Sequence, residues 1–395
     1  MTTSQELPLL PVEQSALLTL SQLRRDLQAQ AALCKIRTPA GDEAWLVTRH
    51  AELKALSTDP RLGRSHADPA NAPKYLDNPM LDLMVTTGGI ETEREDQVKK
   101  RALYPPSLSA RRVLGQKPKV EAIANALLEP IIRKGAPADL HTEFTLPYSR
   151  QAMCEIVGIP LEDRDRLIDL MEVVGDVLDR AAADRAMTEL FEFATELSGR
   201  RRLDPGDDVI SRFMEVGLGD QECGFHAISL MFGGLGGTLS HVDFGILLFA
   251  LNPDQRDLVI NEPKLMPQAV DEVLRATVGS PVLPRYALED IDIAGVTIRV
   301  GELVMLDFSL ANYDPRVYQN PDKFDVTRAP NPHFTFGHGI RHCIGASLAR
   351  IVLNAAYTAL LNNMPGLRLA VPMEELHARE GGRLAGGLGS LPIAW

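Results

Sequence analysis

This chain of 395 residues is short of several features that usually mark a function. It has 4 cysteines, Cys34, Cys154, Cys223 and Cys343, with no CxxC spacing among them. That excludes a zinc ribbon or a disulfide scaffold and fits a reducing cytosol. Positive charge is scarce: 41 Lys+Arg against 53 Asp+Glu leave a net charge of −12, which argues against broad nucleic-acid binding. The stretch Met1 to Gln14 has neither a basic start nor an apolar run of signal-peptide length. No run reaches the ~18 apolar residues of a membrane span. A cytoplasmic protein without a membrane anchor is therefore expected. No flavin or dinucleotide motif occurs, so electrons for any redox chemistry must come from another protein. No Pro/Gly/Ser-rich linker, repeat or low-complexity tract divides the sequence. Residues 1–395 thus read as a single domain, although length alone would suggest two or three.

What is present is mostly helical patterning. Segments around 120–135, 148–158 and 165–200 carry helical periodicity with enough charge for partly exposed helices. From Phe225 to Leu251 the chain is apolar on nearly every side and meets no proline until Pro253, which reads as one long buried helix. Strands are few. Cys34 to Thr38 and Ala44 to Val47 form an expected pair around an Ala-Gly-Asp turn. Asp290 to Val304 suggests a second short pair, and Leu384 to Trp395 a hairpin turning at Gly386-Gly387. The expected fold is mainly α with a small β lobe.

Cys343 is the most informative residue. It stands in Phe336-Gly337-His338-Gly339-Ile340-Arg341-His342-Cys343-Ile344-Gly345, before a buried helix face at Ile344, Leu348, Ile351, Ala355 and Ala359. A cysteine at a helix start faces unpaired N–H groups and the positive end of the dipole, which favour thiolate. Gly337, Gly339 and Gly345 leave room for a flat, bulky partner, with Phe336 as a wall and Arg341 as a nearby cation. A lone thiol is ordinarily buried and inert. The ten-residue pattern points instead to a single thiolate ligating haem iron.

The Phe-x-x-Gly-x-Arg-x-Cys-x-Gly pattern resembles that of the cytochrome P-450 haem-thiolate family, and the resemblance runs over nearly the whole chain. A second signature, Glu-x-x-Arg, reads Glu272-Val273-Leu274-Arg275. At i and i+3 these side chains share a helix face and can pair. The resemblance adds Arg328 to them in a network that locks the fold. It implies haem b as cofactor, with Cys343 as metal ligand. It also implies that Gln97, Arg101, Arg285, His333 and Arg341 meet the propionates, with Phe336 and Gly345 against the ring. Gln97 stands where many members have histidine.

In the family the long helix carries Ala/Gly-Gly-x-Asp/Glu-Thr, an acid–alcohol pair that delivers protons. This chain reads Gly233-Gly234-Leu235-Gly236-Gly237-Thr238. Gly236 and Gly237 occupy the places of the acid and the alcohol, and Thr238 lies about 100° further round the helix. Each interior glycine costs ~1 kcal/mol relative to alanine, so a local distortion is expected here. The glycines could make space for a bulky substrate, or the protons could come from water or from the substrate itself.

By resemblance, the function is that of a haem-thiolate monooxygenase. Its substrate would be a bulky small molecule, typically a natural product, and a ferredoxin with its reductase would supply electrons to a monomeric enzyme. Candidate substrate contacts are Met84, Val85, Gly233, Gly234, Val282, Leu283 and Leu388. Lys99, Lys100, Arg111, Arg112, Arg341 and His342 concentrate positive charge suited to an acidic electron donor. Two alternatives stay open. One is a non-oxygenating haem enzyme performing radical coupling, cyclisation, dehydration or rearrangement. The other is a non-catalytic haem-binding relative.

Overall fold

The computed structural model describes residues 6–11, 17–79, 81–82, 89, 91–176, 178–278, 282–378 and 387–395. Residue contacts gather the chain into two compact units, each built from three stretches that alternate along the sequence. The first holds Met1–Lys100, Val278–Asp322 and His333–Cys343; the second holds Arg101–Thr277, Lys323–Pro332 and Ile344–Trp395.

The first unit is built on a five-stranded sheet in the order Leu33–Arg37, Glu43–Val47, Leu303–Asp307, Val282–Ala287, Leu62–Gly63. The expected first pair is present, antiparallel, with Leu33 opposite Val47. Alternation along the strands feeds both faces. Ile36, Leu46, Leu303 and Met305 enter one core, while Leu33, Val47, Val304 and Leu306 enter the other. The second expected pair is the ribbon Ile291–Ile293 with Val296–Ile298. Its turn uses Ala294 and Gly295, both at positive φ, the backbone that a tight hairpin requires.

The second unit is helical. Ala110–Lys134, Leu146–Val157, Arg164–Gly175, Arg180–Leu203, Asp220–Leu251, Met266–Ala276 and Ala346–Asn363 are its principal helices. The expected helical segment 165–200 is present as two helices, because the chain turns extended at Asp176 and restarts at the cap of Asp179, whose carboxylate accepts the Ala182 N–H. The long helix begins at Asp220, before the expected Phe225, and spans 32 residues, which at ~1.5 Å per residue is about 48 Å. Its length and apolarity would let it cross a membrane, but its apolar window is 67% buried. It is a core helix, and its all-round hydrophobicity follows from that burial.

The expected C-terminal hairpin is not formed by the described residues. Leu384 to Gly386 lie outside them, and Leu388 makes an isolated bridge to Ala378. Pro392–Ala394 instead pairs with Ala138–Asp139 and Arg368–Leu369, strands more than twenty residues away in sequence.

Candidate functional site

In the first unit the cysteine loop is shaped by backbone hydrogen bonds. Cys343 donates its N–H to Phe336 O at 2.7 Å, Gly337 to Phe334 O at 2.7 Å, and His342 to Gly339 O at 3.0 Å. Gly337 and Gly339 both sit at φ +69°, a left-handed conformation that disfavours a side chain. At Gly339 a Cβ would also come within 2.9 Å of Ser57 O, so glycine is required there twice over. The ring of Phe336 stands between those of His333 and His342, at centroid distances of 5.9 and 6.3 Å. Cys343 is partly exposed, whereas Cys34, Cys154 and Cys223 are buried. Burial pushes the Cys154 and Cys223 thiols up to about 11. The loop cysteine differs from the other three in being accessible to a ligand.

Beside this loop in the same unit lies a cluster of guanidinium groups. Arg341 donates to the Glu93 carboxylate, and its side chain is only 12% exposed. This corrects its expected place on a surface patch for an electron donor. Glu93 also accepts the backbone N–H of Arg64 at 2.8 Å and of Ser65 at 2.7 Å. Burial alone would raise the Glu93 carboxyl. The N–H donors of Ser65 and Arg64 and the Arg341 charge outweigh it and hold the carboxyl below its usual range. Arg285 is 5% exposed, and one of its N–H groups donates to Pro284 O at 2.6 Å. Its pKa is driven well down by burial and by repulsion from Arg64 and Arg341. Burial and the neighbouring Arg341 likewise bring Arg64 to about 10. The Nε atoms of Arg64 and Arg341 are buried without a hydrogen-bond partner.

Three guanidinium groups thus face one carboxylate, leaving two positive charges in excess. Buried charge in excess is costly unless an anion enters. The two propionates of a haem supply that count, so the residues present fit the group. Arg64 and Glu93 were not expected from the sequence. No local pattern marks them, because the cluster is assembled from four distant stretches. Of the other expected residues, Gln97 is partly buried on the helix Glu93–Ala102, a turn beyond Glu93. Arg101 falls in the second unit, as does Gly345, which caps Ala346–Asn363.

In the second unit the Glu272 network is complete. Arg275 donates Nε and Nη2 to the two oxygens of Glu272, both at 2.8 Å, and both side chains are fully buried. Arg328 Nε adds 3.2 Å contacts to both oxygens, and Asn331 Nδ2 and Asp325 N–H complete the shell at 3.2 and 3.0 Å.

The long helix carries the glycine segment without interruption, so the expected distortion is absent. The glycines divide by face. A Cβ on Gly233 or Gly237 would meet nothing within 4 Å, whereas on Gly234 it would strike Met153 Cε at 2.3 Å. Gly234 is therefore a packing position against the helix Leu146–Val157, not an open lining. Thr238 is buried at 8% exposure and Gly236 is partly buried. His241 was also missed. Its Nδ1 lies 2.6 Å from Gly237 O, and since a carbonyl only accepts, that nitrogen carries the proton. Leu388 is fully enclosed rather than lining open space. Val282 belongs to one core of the first unit, while Leu283 packs partly exposed against the other. Met84 and Val85 lie outside the described residues.

Comparison with known proteins bears on the family of the whole chain. Residues 199–365 match the family model described as Cytochrome P450. The chain is 36% identical over 400 residues to pentalenolactone synthase of Streptomyces exfoliatus, covering 99% of this chain and 100% of that protein. It is 33% identical to mycinamicin IV hydroxylase/epoxidase of Micromonospora griseorubida, covering 96% of each. Among solved structures, the substrate-free cytochrome P450 PimD, a polyene macrolide antibiotic pimaricin epoxidase, superimposes with a TM-score of 0.90 at 44% identity, covering 99% of this chain and 100% of that one. With this extent of shared sequence and architecture, the chain belongs to the cytochrome P450 family and is an oxidoreductase of its haem-thiolate, monooxygenase type.

Proposed function

We propose that this chain inserts oxygen from dioxygen into a bulky natural-product scaffold, using haem b held by Cys343. The observation that carries the reading is the surplus of two positive charges around Arg64, Arg285 and Arg341, in the unit that also presents the accessible Cys343. When bound, the thiolate-ligated iron supplies the dioxygen activation. The chain's own residues bind and orient: the three arginines neutralise the propionates, with Gln97 and His333 of the same unit as further donors. Phe336, in ring contact with His333 and His342, gives the cysteine loop an aromatic wall.

Relatives named as a polyene macrolide epoxidase and a mycinamicin hydroxylase/epoxidase support a large, mostly apolar substrate. The open backbone at Gly233 and Gly237 gives such a substrate clearance. With no flavin or dinucleotide motif in the chain, a ferredoxin and its reductase deliver electrons to a monomer in the cytoplasm. Residues 1–395 act as a single domain, since each unit is assembled from alternating stretches.

Gly236 and Gly237 also support a second reading, in which oxidation proceeds without oxygen insertion. Turnover under isotopically labelled dioxygen separates the two. Label in the product supports the first reading, and product without label the second. The reduced carbon-monoxide complex should show the red-shifted Soret band of thiolate ligation, and Cys343→Ser should lose it. A band that persists in the variant overturns the ligand assignment.

A further inference from the structure

Within the second unit two ionisable side chains are sealed together. His141 Nδ1 lies 2.7 Å from Asp243 Oδ2, with the imidazole 4% and the carboxylate 0% exposed. His141 opens the π-helical turn His141–Thr145, a geometry rare enough to be associated with function. Asp243 sits on the long helix. The Leu388 N–H reaches the same Oδ2 at 3.4 Å. The other oxygen, Asp243 Oδ1, is buried with no hydrogen-bond partner, and so is Ser240 Oγ.

Helical spacing relates these atoms to the glycine segment. Gly236, Ser240 and Asp243 are i, i+4 and i+7, one face of the helix. Two buried oxygens without partners, a turn apart on that face, are what an internal water satisfies. Burial pushes the Asp243 carboxyl up, and His141 draws it part of the way back. The other groups facing the pair are Tyr357, whose phenol is raised by burial and by the Asp243 charge, and Asp139, which accepts the His141 backbone N–H at 3.1 Å.

We propose that Asp243, held by His141, is the proton-holding carboxyl of this chain, acting through Ser240 and an internal water in place of the acid absent at Gly236. Both are positioning residues, since neither touches substrate. The inference rests on the oxygenase reading, RH + O2 + 2 e− + 2 H+ → ROH + H2O, with electrons from the redox partner and protons drawn from solvent. The pair passes one proton along the Ser240 line and is left with one buried negative charge. That charge is costly in a low-dielectric interior and forces reprotonation from solvent before the next turnover.

The test uses the holoenzyme. Asp243→Asn preserves shape and hydrogen bonding but cannot carry the proton. Coupled product should fall about 100-fold or more, with reducing equivalents diverted to peroxide and substrate affinity unchanged. Hydrogen peroxide supplied in place of dioxygen, electrons and protons should restore product, and Asp243→Glu should recover part of the coupling. Independently of turnover, the infrared difference spectrum between two pH values should contain a carboxyl band that Asp243→Asn lacks. A variant that melts earlier but keeps wild-type coupling, and whose spectrum loses no band, makes the pair structural and overturns the proposal. If Asp243→Asn does not fold, Ser240→Ala decides: wild-type coupling, with no ordered water at Ser240 in a holoenzyme crystal, overturns it equally. Wild-type protein that yields product without label from dioxygen overturns the oxygenase reading itself, and this is seen before any variant is made.

Discussion

Two of the arginine–carboxylate clusters buried among the described residues are built to opposite ends. Around Glu272 the guanidinium groups find acceptors within the protein: both oxygens accept from Arg275 and Arg328, whose Nη2 atoms also reach Lys323 O at 3.3 and 3.0 Å, and Asn331 Oδ1 is the buried atom there without a partner among the described residues. Around Glu93 one carboxylate faces Arg64, Arg285 and Arg341, and two Nε atoms stay buried without partners. A closed cluster fixes conformation; an open one holds a place for an anion. The glycines of the long helix repeat the contrast on a smaller scale. Gly234 is closed by Met153, while Gly233 and Gly237 are open.

The most severe way to break this comparison is at the closed cluster. Glu272→Ala leaves Arg275 buried without its counter-charge, and loss of about 3–5 kcal/mol is expected. Chemical denaturation of haem-free protein should register it, because no ligand is involved. Arg285→Met should act the other way. The haem-free protein should be no less stable, because repulsion with Arg64 and Arg341 is relieved. Haem retention should weaken roughly 10- to 100-fold, the worth of a charge-assisted hydrogen bond of about 1.5–3 kcal/mol. Haem transfer to an acceptor protein measures this, and equal losses in both states would erase the distinction between the clusters.

Among the glycines, Gly237→Ala should stabilise the haem-free helix by up to about 1 kcal/mol. Gly234→Ala should gain less, because its Cβ must displace the flexible end of Met153. Thermal melts of the pair test the order of the two. The smallest effect concerns pH. Glu93 titrates below its ordinary 4.5, so its contribution is present above that value and fades as pH falls through the lower, folded value. Glu93→Gln should flatten this acid limb of the stability curve; an unchanged limb would show that Glu93 does not carry it.

Helices, the first strand pair and the ribbon at Ile291–Ile298 were legible because local periodicity and turn residues encode them. The Glu272/Arg275 pairing followed from i, i+3 spacing, but its complete burial did not, since a surface ion pair has the same sequence. The last strand was misread as a hairpin because its partners, Ala138–Asp139 and Arg368–Leu369, are remote in sequence.

The sequence by itself determined the family, the glycine-built cysteine loop and the long apolar helix with its glycine segment. All are written in contiguous residues, where spacing alone fixes which side chains share a face or a turn. Tertiary structure alone decided that Arg64 and Glu93 join Arg285 and Arg341, that Gly234 is filled and Gly237 is not, and that His141 meets Asp243. Such pairings unite groups separated by tens to hundreds of residues. Their energy depends on burial and on the balance of charge in a shared interior, and neither quantity exists until the chain has folded.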